Sequence, residues 1–270
     1  MLVIPTGPAP LRYRDAIFPG VSITKDVTYG SAVNQQGQNV TLALDVYQPT
    51  GDNVTSRPAI VWVHGGSFCC GDKTSGEIVD EATTFAKKGY VNVSINYRLD
   101  PNGCSASAPT SHCVFEIQDS MHDAQAAVRF LRANATTYGV DTARIAIGGT
   151  SAGAITALNV AYNPDDVGTS GNPGFSSAVR AAASLSGAKI LGTVNTGDAE
   201  ALLFHGTSDP LVPYQWAQNT VTEATKAGVG IYLTTWQGAG HAPYVQHRTE
   251  ILDEETNFFF NELDAGHAAR

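Results

Sequence analysis

Residues 144–158 tightly restrict how this chain can fold. The apolar run Ile145-Ala146-Ile147 passes through Gly148, Gly149, Thr150, Ser151, Ala152 and Gly153 straight into Ala154-Ile155-Thr156-Ala157-Leu158. This predicts a strand, a tight turn and a helix, with Ser151 at the apex. Such a turn pushes its serine hydroxyl out of the sheet. It needs small neighbours because strand and helix nearly touch there.

The rest of the chain supplies a matching framework. Ser22 to Tyr29 and Val40 to Tyr47 alternate apolar and polar residues on either side of Asn34-Gln35-Gln36-Gly37, which predicts an antiparallel opening. Ala59 to Val63 is continuously apolar, as a strand buried on both faces requires. Further strands are predicted at Tyr90 to Asn96, Ala181 to Leu185, Ala201 to Phe204 and Ile231 to Trp236. Helices are predicted at Glu77 to Lys88, Ile117 to Ala135, Tyr214 to Ala227 and His247 to Glu262. Strands alternating with helices predict an α/β fold: a mostly parallel central sheet with helices on both faces. No repeat or linker interrupts it, so residues 1–270 read as one domain. About fifteen residues separate Leu185 from the next strand, too few for a helical lid.

Composition narrows the setting. The net charge is −9, with only 15% charged residues and no Lys/Arg cluster, which argues against a nucleic-acid partner. No apolar run is long enough to span a bilayer. Cys104 and Cys113 bracket a Ser-, Pro- and Thr-rich loop that reads as a disulfide-stapled insertion. Cys69 and Cys70 lie in a second loop, expected to neighbour the first. Four cysteines allow three complete pairings, and the order of residues does not choose among them. Low charge and cysteine usage together favour an oxidising compartment, secreted or periplasmic, with a cytoplasmic protein of reduced thiols as the alternative. No C-x-x-C or H-x-x-x-H spacing occurs, so no metal is expected, and no cofactor is implied.

A serine hydroxyl is too weak an acid to attack unaided and requires a base, which a carboxylate in turn orients. In a parallel sheet such groups converge from loops at the carboxyl ends of strands. After Ser151, Asp209 follows one strand end and His241 another, in the order Ser, Asp, His. His247 falls within a predicted helix, and His205 is expected to bond backbone. His64-Gly65-Gly66-Ser67-Phe68 follows the buried strand at Val63, where consecutive backbone N–H groups can face one point. Gly66 and Ser67, with Ala152 after the serine, are the expected donors to an oxyanion. Phe68, Tyr97, Tyr214 and Trp216 are candidates to line the substrate pocket. His64 is expected to hold its own loop through a ring hydrogen bond.

Together His64-Gly65-Gly66, Gly149 to Gly153, His205 to Asp209 and Gly240-His241 resemble the α/β-hydrolase superfamily. The likeness is to carboxylesterases of its hormone-sensitive-lipase-like and bacterial feruloyl-esterase-like branches. Gly71-Asp72-Lys73 and Asn96-Tyr97-Arg98-Leu99 share it, and it extends from about Leu42 to Phe259. The resemblance implies hydrolysis of small-molecule or polymeric esters, with Ser151 as nucleophile, His241 as acid/base and Asp209 as orienting carboxylate. Short-chain acyl esters are favoured, with acetyl or feruloyl esters of polysaccharide, or polyesters, as alternatives. Ser67 departs from the third glycine of many members, and the cysteines are unusual. Two other outcomes are amide hydrolysis, for which the chain lacks room for the usual extra domain, and a catalytically silent binding module.

Overall fold

The computed structural model describes residues 4–104, 110–263 and 265. The strands are β1 (Val21–Val33), β2 (Asn39–Pro49), β3 (Arg57–Val63), β4 (Val91–Ile95), β5 (Val140–Thr150), β6 (Ala181–Leu185), β7 (Glu200–Gly206) and β8 (Ile231–Trp236). The helices are α1 (Gly76–Lys88), α2 (Ser111–Ala133), the short α3 (Ala135–Tyr138), α4 (Ala152–Tyr162), α5 (Tyr214–Ala227) and α6 (Tyr244–Glu262).

The eight strands form a single sheet in the order β1-β2-β4-β3-β5-β6-β7-β8. β1 pairs antiparallel with β2, and β2 antiparallel with β4; every later pairing is parallel. This is the α/β-hydrolase fold. Alternation along β3 shows how the sheet divides the core. Ala59, Val61 and Val63 belong to one apolar cluster, with α2, α4 and α5. Ile60 and Trp62 belong to the other, with α1 and α6. All seven β3 residues are buried, as their unbroken apolar run requires.

Two departures from the sequence expectations bear on the site. Helix α2 starts at Ser111 rather than Ile117, because Thr110 caps it: its Oγ1 accepts from the Cys113 N–H at 3.3 Å. Six of the residues thought to be loop, Ser111 to Glu116, are therefore helical, Cys113 among them. The second departure is in β1, which is longer than expected and carries two register irregularities against β2.

Cys104 and Cys113 form a disulfide with Cα atoms 4.8 Å apart, while Cys69 and Cys70 are free thiols. The two cysteine loops are neighbours: the Cys104 N–H donates to the Ser67 carbonyl at 2.8 Å. Residues 105–109 of the stapled loop lie outside the described residues. Between β6 and β7, residues 186–199 contain neither helix nor strand.

Candidate active site

Strand β5 delivers Ser151 into a backbone conformation of φ 57° and ψ −116°, and α4 begins at the next residue. The turn is as crowded as its small residues suggest. A Cβ at Gly153 would sit 1.9 Å from the Val63 carbonyl oxygen, and one at Gly149 would sit 2.6 Å from it. The Ser151 N–H donates to Leu185 O at 2.8 Å, fixing the turn to the end of β6. The hydroxyl is thus carried on the sheet itself.

The loops after β7 and β8 bring in the other two side chains. His241 Nε2 lies 2.7 Å from Ser151 Oγ, and Nδ1 lies 2.8 Å and 3.0 Å from the Asp209 carboxylate oxygens. Residues 58 and 90 positions from one another in sequence meet within hydrogen-bonding reach. Burial alone would raise the Asp209 carboxyl. Hydrogen bonds from His205 and His241, and from the Leu211 and Val212 N–H groups at 2.9 and 3.0 Å, outweigh it and hold the carboxyl well below its usual range. Asp209 is therefore ionised and can only accept, so His241 Nδ1 carries the proton and Nε2 is left to accept from Ser151.

His205 is fully buried. Its Nε2–H donates to the Val212 carbonyl at 2.9 Å and lies 3.3 Å from Asp209 Oδ2, so it bonds backbone as expected and supports the carboxylate besides. His247 stands apart on α6, stacked on Trp236 with centroids 3.9 Å apart. Sequence reasoning missed Ser186. Its Oγ accepts from the Ala242 N–H at 3.0 Å, tying the residue after His241 to the end of β6. Nothing in the one-dimensional pattern marks that hydroxyl.

The loop after β3 is wound unusually. Gly66, Ser67 and Phe68 have φ of 122°, 52° and 60°, and a Cβ at Gly66 would sit 2.0 Å from the Cys70 carbonyl oxygen. The Gly66 carbonyl accepts from both the Cys69 and Cys70 N–H groups at 3.0 Å. His64 Nδ1–H donates to Gly65 O at 2.7 Å, holding the loop as anticipated, and burial lowers its pKa. Ala152 is the first residue of α4, so its N–H has no acceptor within the helix.

A cavity of about 300 Å³ opens beside Ser151, walled by Phe68, Cys69, Cys104, Ile155, Leu211 and Val212. Of the four aromatic residues named for the substrate, only Phe68 reaches this wall. Tyr97 is turned away: its ring stacks on His64 with centroids 4.4 Å apart, and its hydroxyl donates to His64 O at 3.0 Å. Tyr214 packs edge-on against His205, with its hydroxyl 2.9 Å from Thr235 Oγ1. Trp216 packs against the core. A second cavity, about 540 Å³, lies past Thr150 and Ala242 and is lined by Glu77, Asp80, Tyr244 and Val245.

The sheet order, the strand–turn–helix at Ser151 and the three converging loops define an α/β-hydrolase. The BD-FAE family model matches residues 44–182, just over half of the chain, and a TAP-like protein model matches residues 179–264. The chain belongs to the BD-FAE family. It is similar to phenmedipham hydrolase of Pseudarthrobacter oxydans, 36% identical over 125 residues, covering 46% of this chain and 23% of that protein. It is also similar to chlorogenic acid esterase of Aspergillus niger, 29% identical over 132 residues, covering 47% and 25%. The chain spans about a quarter of the length of these curated relatives. In fold it is similar to Thermogutta terrifontis esterase 2 phosphoramylated by tabun, with a TM-score of 0.74 at 24% identity over 93% of this chain and 97% of that one.

Proposed function

We propose that the protein is a serine carboxylesterase acting through Ser151, His241 and Asp209. The observation that carries this is the unbroken path from Ser151 Oγ through His241 to the Asp209 carboxylate, at 2.7 and 2.8 Å. Ser151 Oγ bonds to the acyl carbon as its proton passes to His241 Nε2, and the carbonyl electrons move onto oxygen. The backbone N–H groups of Gly66, Ser67 and Ala152 hold that oxyanion. One such donor is worth about 3–4 kcal/mol of transition-state stabilisation. Collapse expels the alcohol, which takes the proton from His241, and water repeats the sequence on the acyl-enzyme. Names such as chlorogenic acid esterase and carboxylesterase 3B among the relatives support ester hydrolysis as the class.

The two cavities support a finer assignment: a short acyl group and a bulky, polar alcohol. The mostly apolar space at Ser151, at about 300 Å³, is at the small end for ligand sites. The larger space past Ala242 carries Glu77, Asp80 and Tyr244. Its wall includes Ala242, the residue after His241, the group that protonates the departing alcohol. That division suits acylated carbohydrate better than a long-chain lipid ester. The Cys104–Cys113 disulfide supports an oxidising compartment.

The test compares wild type with Ser151→Ala on p-nitrophenyl acetate, butyrate and laurate, and on acetylated xylan. Activity abolished in the folded variant, with acetate and xylan preferred over laurate, is the expected result. Equal background in both proteins would leave a binding module instead.

A further inference from the structure

Beside the disulfide, three metal-ligating side chains that the ester chemistry does not use come together. Asp100 follows β4, while His112 and Glu116 stand four residues apart near the start of α2 and so share one helix face. Asp100 is 1% exposed and Glu116 3%. One donor atom from each of the three lies within 4.8 Å of the others.

His112 Nε2 is buried and has no hydrogen-bond partner, although Asp100 Oδ1 is only 3.4 Å away. That separation is long for a charge-assisted hydrogen bond, which runs about 2.7–2.9 Å. It is the spacing of two donors that each sit about 2.0–2.2 Å from one tetrahedral ion, roughly 3.3–3.5 Å apart. Glu116 brings a second buried carboxylate to the same point. The nearby cation Arg98 is already committed to Asp119 and Asp123 at 3.0 and 2.8 Å. Gln36 Nε2 donates to the other Asp100 oxygen, Oδ2, which orients Oδ1 toward His112.

We propose that Asp100, His112 and Glu116 bind a divalent first-row transition ion of the zinc class, with water completing its coordination. One imidazole with two carboxylates suits such an ion. Calcium would require six to eight oxygens. The H-x-x-x-E spacing on α2 has the same helical logic as the H-x-x-x-H that the chain lacks. It is completed by a residue twelve positions upstream of His112, across the stapled loop.

The ion acts as a brace and not as a reagent. The Asp100 N–H donates to Phe68 O at 2.9 Å, and Asn102, Gly103 and Cys104 wall the cavity at Ser151. Metal and disulfide together would clamp one side of that cavity to α2.

The test titrates chelator-treated, full-length protein with zinc chloride by calorimetry and follows Tm. One equivalent bound, with a rise in Tm, is expected in wild type. His112→Ala and Glu116→Gln should each weaken binding about ten-fold or more with circular dichroism unchanged. The Cys69→Ser/Cys70→Ser double variant should bind as wild type does. Absence of binding in wild type, or full affinity in both ligand variants, would show that His112 and Asp100 form a bare ion pair. Binding lost in the cysteine variant would move the ion to the vicinal thiols, and equal affinity for calcium would overturn the assigned class.

Discussion

His205 Nε2 stands 3.3 Å from Asp209 Oδ2 while bonding the Val212 carbonyl at 2.9 Å, so a buried imidazole props the carboxylate that orients His241. Its role is positioning, since it does not bond Ser151 and does not itself line the cavity. His205→Ala should lower kcat about ten-fold with KM little changed, as expected for losing one hydrogen bond to a charged group, worth about 1.5–3 kcal/mol. His205→Gln, which keeps an N–H, should recover part of it. A fall in Tm with kcat per folded molecule unchanged would contradict this. Because Asp209 is held well below the usual carboxylate range, its own protonation should not limit activity in mildly acid solution.

Glu81 on α1 and Glu255 on α6 are both buried, and each has an Oε2 atom without a partner. Burial, then the charge of Glu255, pushes Glu81 well above its ordinary value of 4.5; burial lifts Glu255 to about 8 against the pull of Lys88. The folded state therefore holds protons that the unfolded state releases. Stability should fall as pH rises from about 4.5 to about 8. Burial lowers Lys88 to about 8 from 10.5, which gives the opposite slope above that point. Glu255→Gln should flatten the lower window and raise Tm at pH 8 by about 2–4 °C for each kcal/mol recovered. Melting curves from pH 5 to 9 check it, and an unchanged slope would refute it.

The Cys104–Cys113 disulfide closes a loop of nine residue steps. In the chain-entropy account, such a loop is worth about 2–3 kcal/mol. The double variant Cys104→Ser/Cys113→Ser should lose about 5–10 °C in Tm. Because Cys104 walls the cavity at Ser151, KM should rise as well. Thermal melts with and without reductant, alongside kinetics, read both effects. Unchanged melting would mean that packing alone holds the loop.

Cys70 is exposed and Cys69 half-buried, with their sulfurs 2.7 Å apart. The hydrogen bond to Cys70, then burial, pushes the Cys69 thiol up, which makes it the poorer nucleophile. A maleimide should label Cys70 first. In Cys70→Ser, slow labelling of Cys69 should raise KM for butyrate more than for acetate, since Cys69 faces the cavity. Peptide mass spectrometry with parallel kinetics decides it.

Much of this arrangement is legible in sequence because the chemistry sits where periodicity ends. Ser151, Asp209 and His241 each follow a strand whose apolar run marks its own limit, so their convergence follows from the parallel sheet. Other features depend on which way a side chain turns. Tyr97 lies next to a strand end too, yet its ring stacks on His64 and leaves the cavity. Ser186 matters only through its hydroxyl and the Ala242 N–H, 56 residues away. The first turns of α2 were hidden because Ser, Pro and Thr composition suggests loop, whereas Thr110 acts there as a cap.

The contact between Gly153 and the Val63 carbonyl has a consequence for how such a protein changes over time. With room there for hydrogen only, the Ser151 hydroxyl has a fixed address, and neither selection nor the laboratory can shift it without unpacking β3 from α4. New substrates have to be won at the margins, at Phe68, Cys69, Cys104 and Leu211, where the chain is free to vary around an anchored centre.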